Sequence, residues 1–346
     1  MPIPDRPVTA RSKGATAKAL ASKLIGSKLV RYAFVVIVVG YGAYAVSTEW
    51  PSIHHAVDHI GLRWSAAALA AVLTALFTSM LSWKALLAGL GSPLPTATAA
   101  RIFFVGQLGK YLPGSVWPVL AQMEIAAAHK VPRHRTGLAS VLTMLIALLT
   151  GLIAAVVALP FTGSGVQYAW VFLAAPVLVA CLIPKVLNYG FARLLKLARQ
   201  PPLEQPLGAR AIWISLGWSF VSWICYGLQV WVLAIRVGAP AGTALPLAIG
   251  AFAFAWCAGF LVILAPAGAG IREIVLVAML AHALGGRSPA LAVALVSRGV
   301  SIVADVITAS VAAAYYRRDK KRAALPATPD ADGTPTGQDE PLTTRP

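Results

Sequence analysis

Two segments, Gly109-Lys110-Tyr111-Leu112-Pro113-Gly114 and Pro266-Ala267-Gly268-Ala269-Gly270-Ile271-Arg272-Glu273, break an otherwise apolar chain and carry charge where they break it. In hydrocarbon, backbone groups freed by Pro or Gly need partners from protein or water, so irregular chain at that depth is tolerated only beside a buried site or a wet cavity. Charges there are costly and mark function by default. Each segment therefore reads as a membrane helix interrupted at mid-depth.

The apolar body around them is that of a polytopic membrane protein. Of 346 residues, 58% are hydrophobic and only 12% charged, and the mean hydropathy is +0.74. That balance excludes an ordinary soluble domain. A net charge of +17 would suit nucleic acid, but the cations sit at the ends of apolar runs rather than on a face, so no nucleic-acid partner is expected. Arg6, Arg11, Lys13, Lys18, Lys23, Lys28 and Arg31 precede the first run, and Arg317, Arg318, Lys320, Lys321 and Arg322 follow the last. This is the positive-inside pattern, which places both termini in the cytoplasm.

Apolar runs long enough to cross about 30 Å of hydrocarbon occur at 32–47, 64–83, 137–159, 167–184, 211–235 and 289–316. The fold class is all-α, with about six full spans and two broken or re-entrant helical hairpins. Ala43-Tyr44-Ala45 resembles a signal-peptidase site, but the long stretch before it favours a retained first span over a cleaved signal. Residues 1–31 form a basic juxtamembrane segment suited to anionic head groups, 32–316 the membrane domain, and 317–346 a basic, then Pro-, Thr- and Asp-rich disordered tail. The loops 48–63 and 160–166 suit the outside and 184–210 the cytoplasm, by their charges.

The segment 98–128 is flanked by cations on both sides, and its halves are too short to span singly. A re-entrant hairpin from the cytoplasm is expected. The segment 245–285 should dip in from outside. Its first half, 245–265, is long enough to cross alone, in which case the half after Gly270 must cross back. Halves 32–159 and 167–316 then form two units of span, span, hairpin, span, so an inverted repeat is expected, with its site where the breaks meet.

These motifs, namely Gln107 with the first break and Val116-Trp117, the second break, and Arg298 in the last span, resemble the flippase-like membrane family that includes the transmembrane region of lysylphosphatidylglycerol synthases. The resemblance covers nearly the whole hydrophobic body and implies handling of a lipid or lipid-linked head group, with translocation as the favoured role. This chain departs from it at Ser115, where a basic residue is expected, and at Asp305, where an apolar one is. No soluble aminoacyltransferase domain follows the last span, so a stand-alone member rather than a synthase is expected.

Lys110 either holds a lipid phosphate or snorkels to the interface. Arg272 and Glu273 open a half-helix after a Gly-rich turn, where amides and dipole favour an anion, although Glu273 is also placed to cap its own helix. Arg298 and Asp305 lie seven residues apart on one face, roughly 10 Å along the axis. Arg298 completes a cationic pocket with Lys110 and Arg272, or is neutralised structurally; Asp305 balances Arg298 or accepts a coupling proton. Glu124 faces the same cavity or, as its neighbours His129 and Lys130 favour, the surface.

Gln107 is a hydrogen-bond partner for the broken backbone. Tyr111 is a substrate-contact candidate, although packing is its plainer role, as it is for Trp117. The structural breaks are Pro113, Gly114, Pro266, Gly268 and Gly270.

No catalytic constellation, cofactor motif or metal-ligand spacing is legible, so an enzyme is not expected. His54, His55 and His59 read as a solvated outer loop, and Cys181, Cys225 and Cys257 as small hydrophobes. The leading expectation is a flippase-like lipid translocase of the inner (cytoplasmic) membrane. Its partners would be membrane phospholipids or lipid-linked intermediates, with an envelope-synthesis enzyme as a further partner. A secondary transporter of a small anionic solute, an integral membrane transferase and a non-transporting assembly partner are the rivals.

Overall fold

The computed structural model describes residues 50–112, 116–162, 174–197, 207–262 and 266–323. The basic segment 1–31, the expected span 32–47, Pro113, Gly114, Ser115 and the tail beyond 323 lie outside these. Every described element is helical, and no strand occurs among the described residues. The multi-pass, all-helical expectation holds, with five helices among the described residues long and apolar enough to cross a membrane.

Helix α1 spans Trp50–Gly89, with a non-helical kink at Gly61 (φ 69°, ψ 160°). Its first turns contain His54, His55 and His59, so much of the expected outer loop 48–63 is helical. Among the described residues no group of three His, Cys, Asp or Glu side chains is placed to hold a metal. Helices α2 (Thr96–Gln107) and α3 (Trp117–Ala127) pack on each other as the two short arms of the first hairpin. Helix α4 (Arg133–Ala158), which follows, is long and apolar enough to cross a membrane.

Helices α5 (Ala174–Leu182) and α6 (Pro184–Leu197) follow, bent by 83° between Ala175–Leu182 and Pro184–Arg193. Pro184 stands at the bend, where it can open a helix but not continue one. The described part of the expected span 167–184 is thus a short helix that turns sharply. Helix α7 spans Ala209–Arg236 and α8 spans Ala241–Leu261. The 21 residues of α8 reach about 31 Å, which answers the question raised by 245–265: this half is long enough to cross. Helix α9 (Ile271–Leu280) has 10 residues, about 15 Å, which is shorter than the crossing length expected of the half after Gly270. The second break joins a full-length helix to a half-length one, and α10 (Arg287–Ala323) completes the bundle.

Lipid tails are as apolar as leucine, so close approach and buried hydroxyls hold such helices together. The α1–α7 seam pairs Ser79 with Ser222 at 2.7 Å and Ser82 with Ser215 at 2.7 Å. Across α4 and α7, Thr150 meets Ser219 at 2.9 Å and accepts from the Trp223 indole at 3.0 Å. Gly151 leaves room there, since a Cβ on it would lie 2.9 Å from both Trp223 and the Cys257 sulfur. Two buried cores result. One gathers Trp83, Leu86, Ile102, Phe103 and Leu142 around α1, α2 and α4. The other gathers Trp223, Leu247, Phe252, Leu276 and Val293 around α7 to α10. Tyr226 and Val300 pack against both.

Candidate functional site

Helix α2 tightens after Gln107 into a 3-10 turn, Leu108–Tyr111, before the chain returns as α3. The return is close: a Cβ on Gly109 would lie 2.8 Å from the Pro118 nitrogen and the Trp117 carbonyl carbon, so the fold needs glycine there. The turn points Lys110 and Tyr111 at α10. The Lys110 ammonium lies 2.8 and 2.7 Å from the two oxygens of Asp305, and the Tyr111 hydroxyl donates to Oδ2 at 2.6 Å. Asp305, only 5% exposed, thus has a cation and a donor, which a carboxylate at that depth requires. Tyr111 is a polar partner here rather than a packing aromatic, and Trp117 is 41% exposed.

The second break is built from left-handed backbone. Ala267 (φ 50°), Gly268 (φ 70°) and, after Ala269, Gly270 (φ 83°) have positive φ, and Gly268 packs on Gly259 of α8, where a Cβ would lie 3.1 Å from the Gly259 Cα. The Gly270 amide donates to Glu273 Oε2 at 2.7 Å, which is the reach-back half of a capping box. The other Glu273 oxygen lies 3.6 Å from Arg298, whose guanidinium also donates to the Ala267 carbonyl at 2.9 Å. Arg298 therefore fastens the break that Glu273 caps. Arg272 stacks over Phe252 at 4.3 Å and, among the described residues, has no carboxylate within ion-pair distance.

Gly268→Ala should lower stability by about 1–2 kcal/mol, because a left-handed alanine is strained and its methyl meets Gly259. Thermal unfolding in detergent reads this; an unchanged midpoint would mean the turn is not held as described.

One cavity of about 190 Å³ joins the two breaks. Lys110 and Tyr111 enter it from the first, Ala267, Gly268 and Arg272 from the second, and Arg298 and Asp305 from α10. The two 3-10 turns, Leu108–Tyr111 and Pro266–Gly268, touch. Gln107 also lines the cavity. Glu124 does not; it forms a bidentate pair with Arg133 at 3.0 and 2.8 Å on the exposed side of α3. That Arg133 pair holds the Glu124 carboxyl below its usual range. Pro113 and Gly114 lie outside the described residues.

Three cations, Lys110, Arg272 and Arg298, face two carboxylates, Asp305 and Glu273, which leaves one positive charge in excess. Among the described residues, Arg272 is the one of the three with no carboxylate at ion-pair distance. The rest of the lining includes aromatic and hydroxylic side chains, among them Trp223, Tyr226, Phe252 and Trp256 with Ser219 and Ser222. These residues went unread in the sequence, although Ser215, Ser219 and Ser222 recur at helical spacing on one face of α7. A cavity with an uncompensated guanidinium, hydroxyl donors and aromatic faces suits an anionic group with an apolar extension.

The sequence profile described as Lysylphosphatidylglycerol synthase TM region matches residues 24–309. Comparison with curated proteins and with solved structures gave no match.

Proposed function

We propose, from the premise that this chain belongs to the lysylphosphatidylglycerol synthase transmembrane-region family, that it moves an anionic phospholipid or polyprenyl-phosphate-linked lipid between leaflets. The observation that carries this reading is the single cavity drawing cations from both breaks, with Arg272 lacking a carboxylate partner among the described residues. A phosphate entering it gains a guanidinium fork at Arg272, then Lys110 and Arg298 within the same enclosure. The head group thereby avoids bare hydrocarbon, where its desolvation would be prohibitive, while the acyl chains stay in lipid.

In this reading the chain is a translocase of the inner membrane and not an enzyme. Its cytoplasmic termini follow from the positive-inside pattern. The two hairpins act as opposed elements of an inverted repeat, and membrane phospholipids or lipid-linked intermediates are its partners, with an envelope-synthesis enzyme supplying or receiving them.

Purified protein reconstituted in liposomes with fluorescent phosphatidylglycerol tests this. A membrane-impermeant quencher should reach more than the outer-leaflet fraction, and faster than in empty liposomes. Glu124→Gln, which removes only an exposed pair outside the cavity, should leave the rate within about twofold. Exchange equal to that of empty liposomes would rule the translocase out.

A further inference from the structure

We propose that the cavity takes up a proton together with its anionic ligand, and that Asp305 holds it; this rests on the translocase reading above. The Asp305 carboxylate already occupies Lys110, at 2.8 and 2.7 Å, and accepts from Tyr111 at 2.6 Å. It therefore sits where a phosphate would have to sit to use Lys110. Two anions cannot share one ammonium at contact distance without repulsion, and the low dielectric of a membrane interior sharpens the conflict. Arg272 can receive a phosphate at once. Lys110 must first be released.

Protonation of Asp305 does this with charge in balance. A proton from water on the open side binds one carboxyl oxygen, Lys110 turns to the phosphate, and Tyr111 keeps an acceptor in the remaining oxygen. When the phosphate leaves, Lys110 returns to the carboxylate and the proton departs on the side then open. The other groups facing Asp305 do not supply this release. Arg298 on its own helix is held by Glu273 at 3.6 Å and by the Ala267 carbonyl. Arg272 of α9 and Tyr226 of α7 lie within electrostatic reach of Asp305. Neither can accept a proton near neutral pH, since a guanidinium already carries its own and a phenol is neutral. Glu273 is engaged by the Gly270 amide at 2.7 Å as a helix cap.

Binding and protonation are then linked reciprocally. The test titrates a short-chain phosphatidylglycerol into the full chain in detergent, by calorimetry in two buffers of different ionisation heat. Up to about one proton should be taken up per ligand, and affinity should rise by as much as about tenfold per unit fall in pH. In Asp305→Asn, and independently in Lys110→Gln, both effects should vanish; should Asp305→Asn fail to fold, the lysine variant decides. Binding by the wild type without proton uptake between about pH 8 and pH 6 overturns the proposal, as does unchanged uptake in either folded variant. Leaflet exchange that persists without linkage refutes the proton step alone, whereas absence of both binding and exchange refutes the translocase reading as well.

Discussion

Arg272→Ala should slow leaflet exchange of phosphatidylglycerol by roughly a hundredfold, the loss expected when one desolvated, charge-assisted contact of about 2–5 kcal/mol is removed. The effect should exceed that of any other single cation, because Lys110 and Arg298 already have carboxylates at 2.7 and 3.6 Å. Arg272 has Phe252 at 4.3 Å instead. Stacking fixes the guanidinium without forming an ion pair, so its charge is not cancelled by a contacting carboxylate among the described residues. Arg272→Lys keeps the charge but loses the planar fork and much of the stacking, so an intermediate rate is expected. A rate within threefold of wild type for the alanine variant, with protein amount and unfolding temperature matched, would show that the phosphate does not bind at Arg272.

The second large effect is on stability. Asp305→Ala leaves Lys110 and the Tyr111 hydroxyl without their acceptor, and Lys110→Ala leaves a carboxylate that is 5% exposed without its cation. Breaking a buried pair from one side costs about 3–5 kcal/mol; Lys110, at 29% exposed, retains some water, so the low end is expected for Asp305→Ala. Removing both partners should cost less than the sum by more than about 1 kcal/mol, since the double variant strands no charge. Denaturant unfolding of the four proteins in one detergent measures this. Strict additivity would mean that the contact across the first break and α10 contributes no coupling.

The breaks themselves were legible because Pro, Gly and charge inside apolar runs have few physical solutions. The partners were not. A separation of seven positions puts Arg298 and Asp305 on one face of α10, and that spacing suggested a balance between them. Yet two helical turns are too long for contact, and each found a partner on a different hairpin: Arg298 on Glu273 and the Ala267 carbonyl, Asp305 on Lys110 and Tyr111. Helix α10 thereby ties both breaks together. Glu124 illustrates the converse: its ambiguous place after the first break is decided by Arg133, nine residues on, which draws it to the surface.

In the second hairpin the first half has the crossing length expected of it, and the half after Gly270 does not. Hydropathy continues past Gly270, but the helix that begins there ends at Leu280 before the positive-φ pair Gly285 and Gly286.

By itself, then, the sequence determined that the chain is an all-helical membrane protein with two interrupted helices and buried cations. Hydrocarbon forces internal hydrogen bonding and makes each interruption and each charge conspicuous. Only the tertiary structure decided which of the three cations, among the described residues, has no carboxylate at ion-pair distance. Pairing depends on contacts across helices separated by nearly two hundred residues, as Lys110 and Asp305 are, and no local pattern encodes them. It set Arg272 against Phe252 while pairing Lys110 with Asp305 and Arg298 with Glu273.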